Sequence, residues 1–277
     1  MREGKIGVVG KGFVGTAIIE GFNDKLRVET YDKNKPSTCN SIADLCSKAR
    51  LLFVCVPTPM NRDGSCNIDT VETVLSEIND ANNQNVAIIK STVPPGTSFK
   101  LNQRYSNVDI VFSPEFLTEK NFINDFKTQS KVILGGEAEI VEEVANLFSK
   151  HYKEATIVKT DFSTSEMVKY FLNCFLALKV SFSNEIYQVC EAINVNYENV
   201  LEAVLLDKRV GKTHFNVPGP DGKRGFGGSC FPKDINAMIS FFNSVGVDPK
   251  VLKAAWDKNL EIRPERDWKE LKGRAVI

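Results

Sequence analysis

The sequence predicts an α/β protein in two parts: a parallel-sheet domain over residues 1–160 and an α-helical domain over 161–277, led by one long helix. Three observations carry that prediction. Short, β-rich apolar runs alternate with helical patterns as far as about residue 160. A glycine-rich turn joins the first such run to the first helix. Beyond residue 160 the strand pattern stops, and helical spacing runs unbroken from 165 to 193. The length suits about two domains of roughly 100–200 residues each.

The elements follow in order. A strand over 5–9 leads directly into Gly10-Lys11-Gly12-Phe13-Val14-Gly15, then a helix to about Gly21, then a strand over 27–31 ending at Asp32. This is the order of a dinucleotide-binding βαβ unit, so the first domain is predicted to be Rossmann-type. Gly10 permits the tight turn, Gly12 lets the backbone approach a pyrophosphate, and Gly15 lets the helix pack on the strand. The helix N-terminus offers N–H groups and a positive dipole end to the phosphates. Asp32 lies 22 positions after Gly10, where a carboxylate accepts both ribose hydroxyls. A 2′-phosphate would face that carboxylate, which favours NAD over NADP; Lys33 and Lys35 temper the preference. The bland alternative is a glycine-rich turn without a ligand.

Residues 51–56 form a continuous apolar run, as in a strand buried on both faces. Pro57-Thr58-Pro59 stops it. A helix is predicted over 68–78 and a strand over 86–90, followed by the polar turn Ser91-Thr92-Val93-Pro94-Pro95-Gly96-Thr97. Further strands are predicted over 109–112, 131–134 and 156–159, with a helix near 139–149. Ligands of open parallel sheets bind beyond the carboxyl ends of the strands. Thr58, Ser91, Thr92, Pro114 and Glu115 lie on the loops there.

In the second half, Ser163-Thr164-Ser165-Glu166 reads as a capping box. The helix it opens would be roughly 40 Å long, enough to connect domains or form an interface. Lys169 and Asn173 share one of its faces and interrupt an apolar stripe containing Phe171, Leu172, Phe175, Leu176 and Leu178. Spacing alone also allows Lys169 to snorkel and Asn173 to be solvated. Helices near 198–206 and 233–244 flank a loop-rich stretch ending Gly225-Phe226-Gly227-Gly228-Ser229-Cys230-Phe231-Pro232-Lys233-Asp234. Cys230 falls at or near a helix start, where N–H groups and the dipole stabilise a thiolate. Lys233 is close in sequence and Asp234 lies one turn on, a layout suited to covalent catalysis. A loop cysteine that merely packs is the open alternative. Cys55, inside an apolar strand, is expected to be inert.

Lys+Arg and Asp+Glu both total 35, so no net field favours nucleic acid or an anionic membrane. No apolar run approaches the roughly 18–20 residues of a membrane span, and the first residues lack a signal-peptide core. These features predict a soluble, cytoplasmic protein. Seven cysteines, an odd number without a C-x-x-C pair, argue against a disulfide framework or a cysteine zinc site. With only His151 and His214, no metal site is expected.

Taken together, these blocks resemble the UDP-glucose/GDP-mannose dehydrogenase family over most of the chain. The markers are Gly10 to Gly15, Val56-Pro57-Thr58-Pro59, Ser91-Thr92-Val93-Pro94, Pro114-Glu115-Phe116-Leu117, the Lys169/Asn173 helix, Arg209-Val210-Gly211, and Gly225 to Asp234. The resemblance implies oxidation of a nucleotide sugar, UDP-glucose first among candidates, at C6 to the uronic acid with two NAD per turnover. Cys230 would be the nucleophile, passing through a thiohemiacetal and a thioester. Lys169 and Asn173 would donate to the oxyanion. Asp234, Thr92 and Glu115 would hold water and move protons. Cofactor contacts would come from Gly10, Gly12, Phe13, Val14, Gly15, Asp32, Pro57, Thr58, Ser91, Thr92 and Glu119. The substrate would meet Phe116, Leu117, Lys169, Asn173, Phe226 and Gly227. Arg209 resembles an arginine that reaches substrate across a dimer interface, and a homodimer through the long helix is expected.

Three departures stand out. Lys120 follows Glu119 where the family usually has glycine, and the stretch from Pro218 to Arg224 is longer than the usual link. The family's C-terminal nucleotide-binding domain is lacking, as in a truncated or naturally short member. The competing expectations are a two-electron 3-hydroxyacid dehydrogenase, which also uses a Lys and an Asn on the long helix, and a non-catalytic NAD-binding dimer.

Overall fold

A computed structural model describes residues 4–277, which divide into two compact units. The first holds the chain to Thr58 together with Ile68–Lys169; the second holds Pro59–Asn67 and Tyr170–Ile277.

The first unit is a seven-stranded sheet. Its strands are β1 (Lys5–Val9), β2 (Arg27–Tyr31), β3 (Leu51–Val54), β4 (Asn85–Ile89), β5 (Val108–Phe112), β6 (Lys131–Gly136) and β7 (Thr156–Thr160), in the order β2-β1-β3-β4-β5-β6-β7. The helices between them are α1 (Phe13–Phe22), α2 (Ile42–Lys48), α3 (Asp69–Ala81), α4 (Thr97–Arg104), α5 (Phe122–Lys127) and α6 (Ala138–His151). The central strands are buried on both faces. Leu52, Val54, Ala87 and Ile89 enter one core, while Phe53, Val86 and Ile88 enter the other. That is why 51–56 reads as an unbroken apolar run rather than an alternating one. Strand order reverses about β1, so the ends of β1 and β3 frame the crevice where such sheets bind ligands.

One junction departs from a wholly parallel sheet: β6 pairs antiparallel with β5, and β7 then runs parallel to β6. The connection between β5 and β6 carries only the short α5. That helix packs on α1 with Phe126 filling the space over Gly21, and the chain re-enters the sheet in the opposite sense.

The long helix α7 (Phe162–Ala192) has 31 residues, about 46 Å at 1.5 Å each. It belongs to the first unit up to Lys169 and to the second from Tyr170. The second unit adds α8 (Tyr197–Val204), α9 (Phe231–Ser244), α10 (Lys250–Ile262) and a 3₁₀ turn at Asp267–Glu270. Ala177, Phe226, Ile235 and Ala255 form one of its cores, with Phe231 and Trp256 packed against them. The Pro59–Asn67 excursion joins this unit through Met60, whose N–H donates to the Ala275 carbonyl and whose carbonyl accepts from Ile277.

The capping box expected at Ser163 does not form. The helix starts at Phe162, two residues earlier than that box implies, and is capped by Asp161, which accepts from the Thr164 N–H at 2.8 Å and the Thr164 hydroxyl at 2.6 Å. Glu166 turns instead to α4, accepting from the backbone N–H of Gly96 at 2.6 Å and of Ser98 at 2.7 Å. Two N–H donors at the positive end of another helix are a better partner for a buried carboxylate than one N–H of its own. Among the described residues, no helix is long and apolar enough to cross a membrane.

Candidate active site

The cradle of the first unit is built from the ends of β1, β2 and β3. Gly10 has φ +90°, and a Cβ there would stand 2.7 Å from the Cys55 carbonyl. A Cβ on Gly15 would stand 1.9 Å from the Gly10 carbonyl, so only glycine lets α1 start this close to the sheet. Gly12, the N-cap, meets nothing within 4 Å, and no side chain caps α1. Its first N–H groups are therefore presented to space a pyrophosphate can occupy. Phe13 and Val14 continue the turn, with the exposed Phe13 ring edge-on to Phe122 at 5.1 Å.

Asp32 closes the far side. Its carboxylate accepts from the N–H of Lys11 at 2.6 Å and of Asn34 at 2.8 Å. Burial opposes its charge, but these N–H groups and the Lys35 amine outweigh it and hold Asp32 below the usual carboxylate range. Lone pairs remain for two ribose hydroxyls. These residues fit a dinucleotide: open backbone donors for its phosphates and a fixed anion for its ribose.

The next two loops are fastened together. The Ser91 hydroxyl donates to the Val56 carbonyl at 2.6 Å, and the Thr58 hydroxyl donates to the Thr92 carbonyl at 2.8 Å. Thr58, Ser91 and Thr92 are buried, and Pro57 is exposed. Cys55 follows β3, and burial pushes its thiol up to about 12, so it stays protonated at neutral pH.

Glu115 and Lys169 meet in the same unit. The Lys169 amine donates to the Glu115 backbone carbonyl at 2.7 Å and to its carboxylate at 2.9 Å. The other carboxylate oxygen accepts from the Leu117 N–H at 2.7 Å. Burial opposes the Glu115 charge, yet the Lys169 ammonium more than compensates and the carboxyl lies below its usual range. The Phe116 ring lies beneath two amines, Lys131 at 4.3 Å and Lys169 at 5.7 Å. Lys169 is neither snorkelled nor solvated: it is buried and ion-paired. Glu119, farther along the loop, is exposed.

The second unit carries the thiol. Cys230 is the exposed N-cap of α9, with Pro232 at the second helical position, and the Asp234 N–H closes the first turn on its carbonyl at 3.0 Å. Asp234 is buried beneath it. One carboxylate oxygen pairs with Lys233 at 2.5 Å and the other accepts from Asn173 at 2.6 Å. Asn173 is thus an oriented, buried amide rather than a solvated one. Burial disfavours the Lys233 ammonium, but Asp234, Cys66 and Cys230 together raise it above its ordinary value.

The loop before Cys230 is clamped by residues that give no sequence signal. Asn259 accepts from the Phe226 N–H at 2.7 Å and donates to the Phe226 carbonyl at 2.9 Å. Arg263, 2% exposed, pairs with Asp221 and Asp267, both at 2.6 Å. A Cβ on Gly227 would fall 2.4 Å from the Arg263 guanidinium. The Phe226 ring itself lies in the core. The 218–224 stretch is tied down by Asp221 and by the pairing of Arg224 with Glu191. Arg209 is at the surface, its guanidinium on Asp207.

Comparison with known proteins adds the family. Residues 17–156 match the UDP-glucose/GDP-mannose dehydrogenase family, NAD binding domain, and residues 163–261 match its central domain. The UDP-glucose 6-dehydrogenase AglM of Haloferax volcanii is 33% identical over 77% of this chain and 53% of its own length. TuaD of Bacillus subtilis, with the same enzyme name, is 33% identical over 86% of this chain and 52% of its own. The chain therefore spans about half the length of these curated relatives. A UDP-glucose dehydrogenase structure from Pyrobaculum islandicum superposes with a TM-score of 0.85 at 29% identity, covering 97% of this chain and 70% of that one.

Proposed function

Because the chain belongs to the UDP-glucose/GDP-mannose dehydrogenase family, we propose that it oxidises the C6 alcohol of a nucleotide sugar, UDP-glucose first among candidates, to the uronic acid. The observation that carries this reading is the exposed Cys230 at the start of α9, with the Asn173–Asp234–Lys233 chain fixed beneath it. A two-electron alcohol oxidation has no use for such a thiol, whereas a four-electron one can use it to hold the intermediate aldehyde covalently.

The first-unit cradle would hold NAD, with Gly10, Gly12, Phe13, Val14 and Gly15 serving the phosphates and Asp32 the ribose. Pro57, Thr58, Ser91, Thr92 and Glu119 line the remainder. Bound NAD⁺ supplies the two-electron oxidant for each of two oxidations. After the first, the Cys230 thiolate adds to the C6 carbonyl; a C–S bond forms and the carbonyl oxygen becomes an oxyanion. Lys169 and Asn173, one turn apart on α7, donate to that oxygen. Preorganised donors of this kind are typically worth about 2.7–4 kcal/mol each. Asp234 keeps the Asn173 amide aimed by accepting its other hydrogen. The second oxidation leaves a thioester. Water held by Thr92, Glu115 and Asp234 attacks it, the C–S bond breaks, the thiolate departs and the carboxylate forms. Phe116, Leu117, Phe226 and Gly227 shape the substrate's surroundings.

The protein is proposed to act as a homodimer through α7, with Arg209 serving the partner's substrate. A reducing compartment such as the cytoplasm is the setting in which seven free cysteines, one of them catalytic, stay reduced.

The test is stoichiometric. The full chain is incubated with NAD⁺ and a panel of UDP- and GDP-sugars while NADH is followed. Two NADH per sugar are expected, and one per turnover would point to a simple alcohol dehydrogenase instead. Cys230→Ser is expected to lose uronic-acid formation. A serine variant as active as the parent through both oxidations would end the thioester reading.

A further inference from the structure

A buried lysine that the chemistry above does not use stands at the end of β4. Lys90 is 4% exposed, directly before Ser91 and Thr92. Its amine donates to the Ser113 hydroxyl at 3.1 Å and to the Pro114 carbonyl at 3.0 Å. Those residues open the loop beyond β5, and the next residue is Glu115. Lys90 thus stitches the strand end that carries Thr92 to the corner that carries Glu115.

An amine in such a place has a cost. A buried ammonium loses its hydration, and only hydrogen bonds and a nearby anion offset the loss. The charged and titratable groups around it are Cys55 from the end of β3, Glu115 from the β5 loop and Lys169 from α7. Cys55 is neutral, so the cluster comprises one carboxylate and two amines. Burial lowers the Lys90 amine to about 8, with the Glu115 carboxylate raising it and the Lys169 ammonium lowering it. Lys90 therefore remains mostly charged at neutral pH, and Glu115 feels two cations: Lys169 by direct contact and Lys90 through space.

We propose that Lys90 is a positioning residue for the oxidation: it fixes the 113–115 corner beside Thr92 and so keeps the Glu115 carboxylate in register to hold the Lys169 amine. This rests on the reading that Thr92, Glu115 and Lys169 serve nucleotide-sugar oxidation. An apolar side chain would fill the same volume, but it could neither bond the Pro114 carbonyl nor favour the carboxylate.

The test uses Lys90→Met, which keeps length and removes the charge, and Lys90→Arg, which restores charge. Glu115 is titrated by NMR in chains carrying ¹³C-carboxyl glutamate, with Glu115→Gln for assignment. Lys90→Met should raise the Glu115 titration by about one pH unit and Lys90→Arg should largely reverse this. In NADH formation, Lys90→Met should lower kcat about tenfold with KM for NAD⁺ within about twofold, and the acid limb of the kcat profile should move to higher pH. A folded Lys90→Met chain with unchanged Glu115 titration and unchanged kcat would overturn the proposal. If Lys90→Met does not fold, Ser113→Ala deletes one acceptor and leaves the amine. It should lower kcat about threefold in the same pattern, and parental behaviour there would equally overturn the proposal. If the parent oxidises no nucleotide sugar, the functional reading fails, while the Glu115 titration still decides the role of Lys90.

Discussion

On the proposed reading, Asp32 serves the fold and a ligand at once. Its carboxylate satisfies the Lys11 N–H inside the glycine turn, so it organises the cradle before any ribose arrives. Hydrogen bonds to a charged acceptor contribute about 1.5–3 kcal/mol each. Asp32→Ala should therefore raise the Kd for NAD⁺ by about ten- to a hundredfold while leaving that for NADP⁺ nearly unchanged, as titration calorimetry would read. Equal loss for both cofactors would mean that Asp32 acts only on the turn. Gly10, Asp32 and Cys230 were legible in the sequence because their chemistry is tied to a local pattern: a turn, a fixed spacing, a helix start. Lys90, Asn259 and Arg263 were not. Each meets partners far away in the chain, as Arg263 does 42 positions back at Asp221. A lone Lys, Asn or Arg is ordinarily solvated, so nothing local distinguishes a buried one.

Among the elements, α7 does most to hold the first unit's candidate site together, through two residues three positions apart. Glu166 caps α4 at the turn bearing Thr92, and Lys169 holds Glu115. Burial pushes Glu166 up to about 7, against the pull of the Ser98 and Gly96 N–H groups. The sign follows from proton linkage. Between the unfolded value near 4.5 and about 7 the native state holds the extra proton, so this residue's contribution to stability falls as pH rises through that window. The span is at most about 3 kcal/mol. Urea unfolding at pH 5 and pH 7.5 should show it in the parent and not in Glu166→Gln; equal pH dependence in both would contradict this account. The strands were readable because burial on both faces leaves a continuous apolar run. Helices α4, α5 and α10 were not. In α4 only Ser98 and Leu101 are buried, α5 has six residues, and α10 buries only Ala255 and Asn259, so none carries a readable stripe. The capping box failed for a related reason: Glu166 satisfies S-x-x-E by spacing but finds two donors on another element.

At the scale of the whole molecule, the surface of α7 bears on how many chains make a working enzyme. Phe171, Phe175, Phe182 and Val189 are 70, 49, 58 and 51% exposed. At 100° per residue they fall within about 40° of one another, on a single face. Phe171 and Phe175 stack with centroids 6.4 Å apart. A contiguous apolar stripe of this length is costly in water, and each large side chain buried against a second copy would contribute about 1.5–3 kcal/mol. Light scattering at micromolar concentration should therefore report a dimer, and Phe171→Glu with Phe182→Glu should report a monomer; a monomeric parent would refute the proposed assembly. Arg209 makes the assembly functionally testable, since its guanidinium is exposed and pairs with Asp207 of its own chain. If it serves the partner's substrate, Arg209→Ala and Cys230→Ser chains should each be inactive as homodimers. Their mixture should recover about a quarter of parental activity, because half the dimers pair an intact thiol with an intact arginine at one of two sites. Recovery should follow the rate of subunit exchange. No recovery after complete exchange would place the action of Arg209 within its own chain.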